Sequence, residues 1–153
     1  MVATEIRNAD ATGIRGTATG PRPVPGRRIL VADDDRMIRL LVRMLLEQDG
    51  FTVLEAENGA EALAMARAEN PDLLLVDLQM PDMNGYQVLQ KMRADPAQAS
   101  IPVIVLTSES GTAVESQVLD MGAEDFLVKP FKPEVLIARI RGAFRRSAAA
   151  VAA

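Results

Sequence analysis

Five short apolar runs divide the chain, and after each the apolar residues return every three or four positions. Arg28–Ala32, Thr52–Ala56, Leu73–Val76, Ile101–Thr107 and Asp125–Lys129 are too short for helices. They read as strands buried on both faces of a sheet. From Arg36 the period lengthens. Met37, Leu40, Leu41, Met44 and Leu45 form the apolar stripe of a first helix, which Gly50 ends as a left-handed cap. Asn58 caps a second helix, with Glu61 three residues on as in a capping box, and Leu63, Ala64 and Arg67 follow before Asn70-Pro71 stops it. A third begins near Gly85, carries Tyr86, Leu89 and Met92, and ends before Asp95-Pro96. A fourth covers residues 112–121, with Val114, Val118 and Met121 inward and Gly122 as cap. Pro133 opens the last, where its missing N–H does no harm; Leu136, Ile140, Ala143 and Phe144 are its buried stripe.

Strands alternating with helices predict a parallel sheet covered on both faces and joined by right-handed crossovers. The expected fold is a three-layer, doubly wound α/β domain over residues 27–146. Residues 1–26 lack an apolar period, and Gly20-Pro21-Arg22-Pro23-Val24-Pro25-Gly26 cannot build a helix or an interior strand. They are expected to be a flexible arm or linker, and residues 147–153 a frayed, disordered tail.

Composition narrows the chemistry. Apolar residues make up 48% and charged residues 25%, the balance of an ordinary soluble domain. With neither cysteine nor histidine, thiol chemistry, disulfides and the usual transition-metal ligands are excluded. A metal here must be held by oxygen, which favours a hard cation such as Mg²⁺. The net charge of −4 is uneven: five arginines against two acids in residues 1–28 leave the remainder at −7. So acidic a domain is not expected to bind nucleic acid directly, which requires phosphate neutralisation. No apolar segment reaches the roughly 18 residues of a membrane span, and the N-terminus lacks a signal-peptide layout. A cytoplasmic location follows as an expectation.

The strands end on polar groups, where an open parallel sheet places its chemistry. The first runs into Asp33-Asp34-Asp35, the third into Asp77, the fourth into Thr107 and the fifth into Lys129. Any one alone would pass for a turn former or a surface charge. Were the first and third strands central neighbours, Asp33, Asp34 and Asp77 would meet, repel one another and invite a cation. A divalent ion, a lysine, a hydroxyl and an exposed carboxylate are the parts needed to receive a phosphoryl group, with Asp77 as nucleophile.

These residues, with Met80-Pro81-Asp82-Met83-Asn84-Gly85 and Lys129-Pro130-Phe131, resemble the receiver domain of bacterial two-component response regulators. The likeness covers residues 28 to about 146. It implies the flavodoxin-like strand order 2-1-3-4-5. It also implies that Asp77 is phosphorylated from a sensor histidine kinase or a phosphotransfer protein. Asp34, Asp77 and the backbone carbonyl of Gln79 would hold Mg²⁺ directly, and Asp33 would reach it through water. Lys129 would pair with the phosphoryl oxygens. Thr107 would turn to the phosphoryl group and Phe126 inward behind it, switching the surface of the fourth helix, fifth strand and fifth helix toward a downstream protein. Gln79 and Glu109 would set the lifetime of the acyl phosphate, small Ser108 would leave the path open, and the Lys129-Pro130 peptide would be cis.

The last helix also resembles that of the winged-helix transcription-factor subfamily. A homodimer through the same surface follows, with Asp120, Asp125 and Arg139 in its salt bridges and Glu115 where a basic residue is usual. Two other functions use the same parts. A Mg²⁺-dependent phosphohydrolase would place a second acid two residues after the nucleophile, where Gln79 stands. A docking module that is never phosphorylated would lack some of the acids or the lysine, and all are present. A self-catalysed signalling receiver, not an enzyme, is the expectation.

Overall fold

A computed structural model describes residues 26–152. The expected arm and the final residue lie almost wholly outside the described residues. Five strands alternate with five helices: β1 (Arg28–Ala32), α1 (Arg36–Gln48), β2 (Thr52–Ala56), α2 (Gly59–Glu69), β3 (Leu73–Val76), α3 (Gly85–Ala94), β4 (Val103–Thr107), α4 (Thr112–Asp120), β5 (Asp125–Val128) and α5 (Pro133–Ala152). The strands are all parallel, in the order β2-β1-β3-β4-β5. This is the predicted three-layer α/β fold.

The core lies on both faces of the sheet because each central strand sends alternate side chains to opposite layers. Leu30, Leu74, Val76, Val103 and Val105 pack with Val88, Leu89 and Met92 of α3 and with Phe126. Ile29, Val31, Leu73, Leu75 and Ile104 pack with Val42 and Leu46 of α1 and with Leu136, Ile140 and Phe144 of α5. β1, β3 and β4 are almost fully buried; the edge strands β2 and β5 are only partly so. β4 begins at Val103, two residues later than predicted. Pro102 has no N–H to give, although its carbonyl accepts the Leu74 N–H at 3.0 Å.

The first helix corrects the predicted stripe. Met37, Leu40, Leu41 and Met44 face solvent at 69, 47, 46 and 60% exposure. The inner face carries Arg39, Val42 and Leu46, with Ile38 and Leu45 half-buried. Two apolar stripes fit the helical period, and the buried Arg39 decides between them. Its Nε donates to Glu55 Oε1 at 3.1 Å and its NH1 to the Asp33 carbonyl at 2.7 Å, so the guanidinium is satisfied beneath the helix.

Two termini also differ from expectation. Asn58 caps α2 by accepting the Glu61 N–H, but the Glu61 carboxylate takes the Glu57 N–H and not that of Asn58. The full capping box sits at α3, where Asn84 and Gln87 satisfy each other's N–H. α5 runs on to Ala152, so residues 147–152 are helical, as their alanine content favours.

The two faces of α1 should separate cleanly in urea unfolding. Leu46→Ala opens a cavity under the helix and is expected to cost about 2–5 kcal/mol. Leu40→Ala, on the solvent side, should stay within about 0.5 kcal/mol of the unaltered protein. Equal losses would contradict this separation of the faces, and a larger loss at Leu40 would put the helix the other way round.

Candidate functional site

Register builds the site. Ala32 of β1 stands opposite Val76 of β3, so the next residues, Asp33 and Asp77, leave adjacent central strands at one level. Thr107 stands opposite Val128, so Lys129 emerges beside the end of β4. One further ladder bond fixes each backbone beyond its strand. Asp33 N–H donates to Ala56 O at 3.1 Å, Asp77 N–H to Ala32 O at 3.0 Å and Lys129 N–H to Thr107 O at 2.8 Å. The Lys129–Pro130 peptide is cis.

Carboxylate oxygens of Asp33, Asp34 and Asp77 all lie within 4.8 Å of one another. Asp33 and Asp77 are buried and Asp34 is exposed, so the cluster opens to solvent on one side. Lys129 Nζ donates to Asp33 Oδ2 at 2.6 Å and to Asp77 Oδ2 at 3.0 Å. Burial raises the Asp33 carboxyl above its ordinary value, and its bonds to Lys129 and to the Asp35 N–H only partly offset this. Burial pulls the Lys129 ammonium the other way, but its bonds to Asp33 and Asp77 and their charges outweigh it, and the net shift is upward. The lysine is therefore a fixed cation between two acids.

The surrounding loops are locked to these groups. Asp33 Oδ1 accepts the Asp35 N–H at 2.9 Å and Asp77 Oδ1 the Gln79 N–H at 3.1 Å, which turns each chain sharply after its carboxylate. Asp35 then caps α1 by accepting the N–H groups of Met37 and Ile38. Gly85 admits α3 against the site, since a Cβ there would overlap Asp77 O and lie 2.8 Å from Leu78 Cα. Thr107 is fully buried and its hydroxyl accepts the Glu109 N–H at 3.3 Å. Phe126 is buried in the layer with α3 and α4. Gln79 is exposed and Glu109 half-exposed at the rim.

Arg39 and Tyr86 hold this arrangement and were not singled out as site residues by the sequence; Ser108, expected only to leave the path open, makes a bond of its own. Arg39 supports the Asp33 carbonyl; Ser108 Oγ donates to Gln79 Oε1, and Tyr86 Oη to Glu109 Oε1. An arginine inside an apolar helical face was the one signal available.

A family model, the response regulator receiver domain, matches residues 29–141. The chain belongs to that family. Over 121 residues, 79% of the chain, this receiver domain is 39% identical to the DNA-binding response regulator MtrA of Mycobacterium tuberculosis, covering 52% of it. It is 36% identical over 122 residues, 80% of the chain and 53% of the relative, to the phosphate regulon transcriptional regulatory protein PhoB of Pseudomonas aeruginosa. The chain thus spans about half the length of these curated relatives. Among solved structures, the receiver domain of the Francisella response regulator 1452 superposes with a TM-score of 0.75 at 31% identity, over 80% of this chain and 99% of that one.

Lys129→Met would leave two buried acids unpaired, a loss of about 3–5 kcal/mol at neutral pH. Because the Lys129 value is raised, its contribution is complete below the ordinary 10.5 and fades only as pH climbs past the folded value. In the variant, the Asp33 carboxyl, which burial already raises above its ordinary value, loses its cation and takes up a proton as pH falls, so the deficit should shrink in acid. Urea unfolding across pH checks this, and a deficit independent of pH would contradict the pairing.

Proposed function

We propose that this receiver domain accepts a phosphoryl group on Asp77 and passes the event to a downstream protein through the α4-β5-α5 surface. The carrying observation is Lys129 Nζ bridging Asp33 and Asp77 inside a three-carboxylate cluster at the carboxyl ends of β1 and β3. An Asp77 Oδ atom attacks the donor phosphorus. The new P–O bond forms as the phosphohistidine P–N bond breaks and the imidazole leaves with the electron pair. Lys129 supplies positive charge for the incoming phosphoryl oxygens and Thr107 a hydroxyl donor. Hydrolysis reverses the event: water attacks phosphorus, the P–O bond to Asp77 breaks, and carboxylate and inorganic phosphate are released. The chain is on this reading a self-modifying switch rather than a turnover enzyme.

The donor set suits Mg²⁺, being all oxygen, acidic and open on the Asp34 side. Asp34, Asp77 and the Gln79 carbonyl would hold it, with Asp33 through water. When bound, it supplies the charge neutralisation that lets an anionic phosphoryl group approach three acids. Phosphorylation adds charge and acceptor oxygens beside Lys129 and Thr107, and a shift of Thr107 and Phe126 would carry the change to α4 and β5. Gln79 and Glu109 at the rim would set the lifetime.

A sensor histidine kinase or a phosphotransfer protein is the donor partner. The exposed apolar side chains of Met37, Leu40, Leu41 and Met44 lie on the helix that starts two residues after Asp34, and supply a docking face next to the phosphoacceptor. For a homodimer through α4-β5-α5, Asp125 and Arg139 already pair within one chain at 2.8 Å, so the dimer would extend or exchange that bond. The acidic domain would not itself contact nucleic acid. Among the described residues no helix is long and apolar enough to cross a membrane, and a cytoplasmic location is part of the proposal.

Incubation with a small-molecule phosphodonor and Mg²⁺, followed by intact mass, should add one phosphate to the unaltered chain and none to Asp77→Asn. Steady turnover of phosphoesters would point to a hydrolase, and no adduct to a docking module. Leu41→Glu should leave labelling by the small donor intact while slowing transfer from the kinase about tenfold or more, as loss of a buried apolar anchor does. Equal slowing of both would place the defect in the site.

A further inference from the structure

The loop after β4 is tied across the mouth of the site by two side-chain bonds that phosphoryl transfer does not itself require. Ser108 Oγ donates to Gln79 Oε1 at 3.0 Å, and Tyr86 Oη donates to Glu109 Oε1 at 3.4 Å. Both run from the β4–α4 loop to the segment that follows Asp77. A third bond, from the Glu109 N–H to Thr107 Oγ1, joins the loop to the hydroxyl at the end of β4. Thr107, Ser108 and Glu109 are therefore each held by a polar contact.

Tyr86 is well placed to act as the fixed end. It follows Gly85, whose N–H donates to Leu78 O at 3.0 Å and whose Cα lies against the Asp77 backbone with no room for a side chain. The position of Tyr86 is thus set by the phosphoacceptor's own strand end. Its ring is half-buried against the core layer of α3. Burial, then the charge of Glu109 and the bond to it, raise the phenol above its ordinary value, so the hydroxyl keeps its proton and remains the donor.

Resting on the phosphoacceptor reading, we infer that Tyr86 is a positioning residue for the phosphoryl site. Acting through the Glu109 carboxylate, its hydroxyl holds the loop that follows Thr107 across the mouth of the site beside Asp77. Release of that tie lets the loop swing out, and water then reaches the phosphorus of an acyl phosphate on Asp77 more readily. The Ser108–Gln79 bond is the second tie, which keeps the effect of either one moderate. Losing the Tyr86 tie should shorten the acyl-phosphate lifetime about two- to tenfold, the weight of one net hydrogen bond.

The chain is built for the test, because Tyr86 is its one tyrosine and it has no tryptophan. A carboxylate that accepts from a phenol quenches tyrosine emission, so Glu109→Ala should brighten the native protein at neutral pH. Unchanged emission would overturn the contact. The unaltered chain, Tyr86→Phe, Glu109→Ala and the double variant are then phosphorylated with the small donor, and decay is followed by intact mass. Tyr86→Phe keeps the ring and its packing, so the fold is preserved. Its acyl phosphate should decay faster, and the double variant should decay no faster than the faster single variant, since both remove one tie. A Tyr86→Phe lifetime equal to that of the unaltered chain, or effects that multiply in the double variant, would overturn the inference. Absence of adduct on the unaltered chain would instead overturn the phosphoacceptor reading, and this inference with it.

Discussion

Three carboxylates held within 4.8 Å of one another at the rim of a sheet are the constraint to which the rest of the structure answers. At the effective dielectric of a protein surface, two such charges repel by roughly 3 kcal/mol. Lys129 offsets part of this by donating to two of the three acids. Exposure of Asp34 offsets more. What remains is borne by the core: β1, β3 and β4, buried on both faces, hold the strand ends in place against the repulsion. The layered fold thus supplies the stability that its own site draws down; a cation would relieve the repulsion, whereas a phosphoryl group would add to it.

Position follows from register rather than from local geometry. Because β1 and β3 are parallel neighbours with Ala32 opposite Val76, the first polar residue after each arrives at one place. The backbone around that place admits little variation. Arg39 supports the Asp33 carbonyl, Gly85 leaves α3 pressed against Asp77, and the side chains of Asp33 and Asp77 each close a turn on their own strand. The loop after β4 is the softer side, held by side-chain bonds instead of a ladder. A rigid acidic floor with a tethered, movable wall suits a switch that must respond to one added group.

Most of the fold was legible in the chain because five apolar runs too short for helices read as strands, although only β1, β3 and β4 are buried on both faces, and strands alternating with helices leave few topologies. The strand order was not, since periodicity does not say which strands are neighbours; it came from the resemblance. The acids, the lysine and the threonine were legible because each closes a strand. α1 was misread for a physical reason. Its sequence carries two overlapping apolar stripes, and the one that packs includes Arg39, whose burial depends on Glu55 and a carbonyl contributed by other elements. The Tyr86–Glu109 and Ser108–Gln79 ties were invisible for the same reason: they join the loop after β4 to α3 and to the segment after Asp77, whose approach only the folded sheet creates.

The most direct measurement of the central claim is the unfolding free energy of the unaltered chain and of Asp34→Asn as Mg²⁺ is raised. If the clustered carboxylates are a cation site, the unaltered chain should gain stability logarithmically with Mg²⁺, reaching about 2.7 kcal/mol at a hundred times the dissociation constant. Asp34→Asn should start more stable, with one repelling charge removed, and should gain little. Equal, flat responses in the two proteins would contradict the account and leave the acidic cluster as a solvated turn.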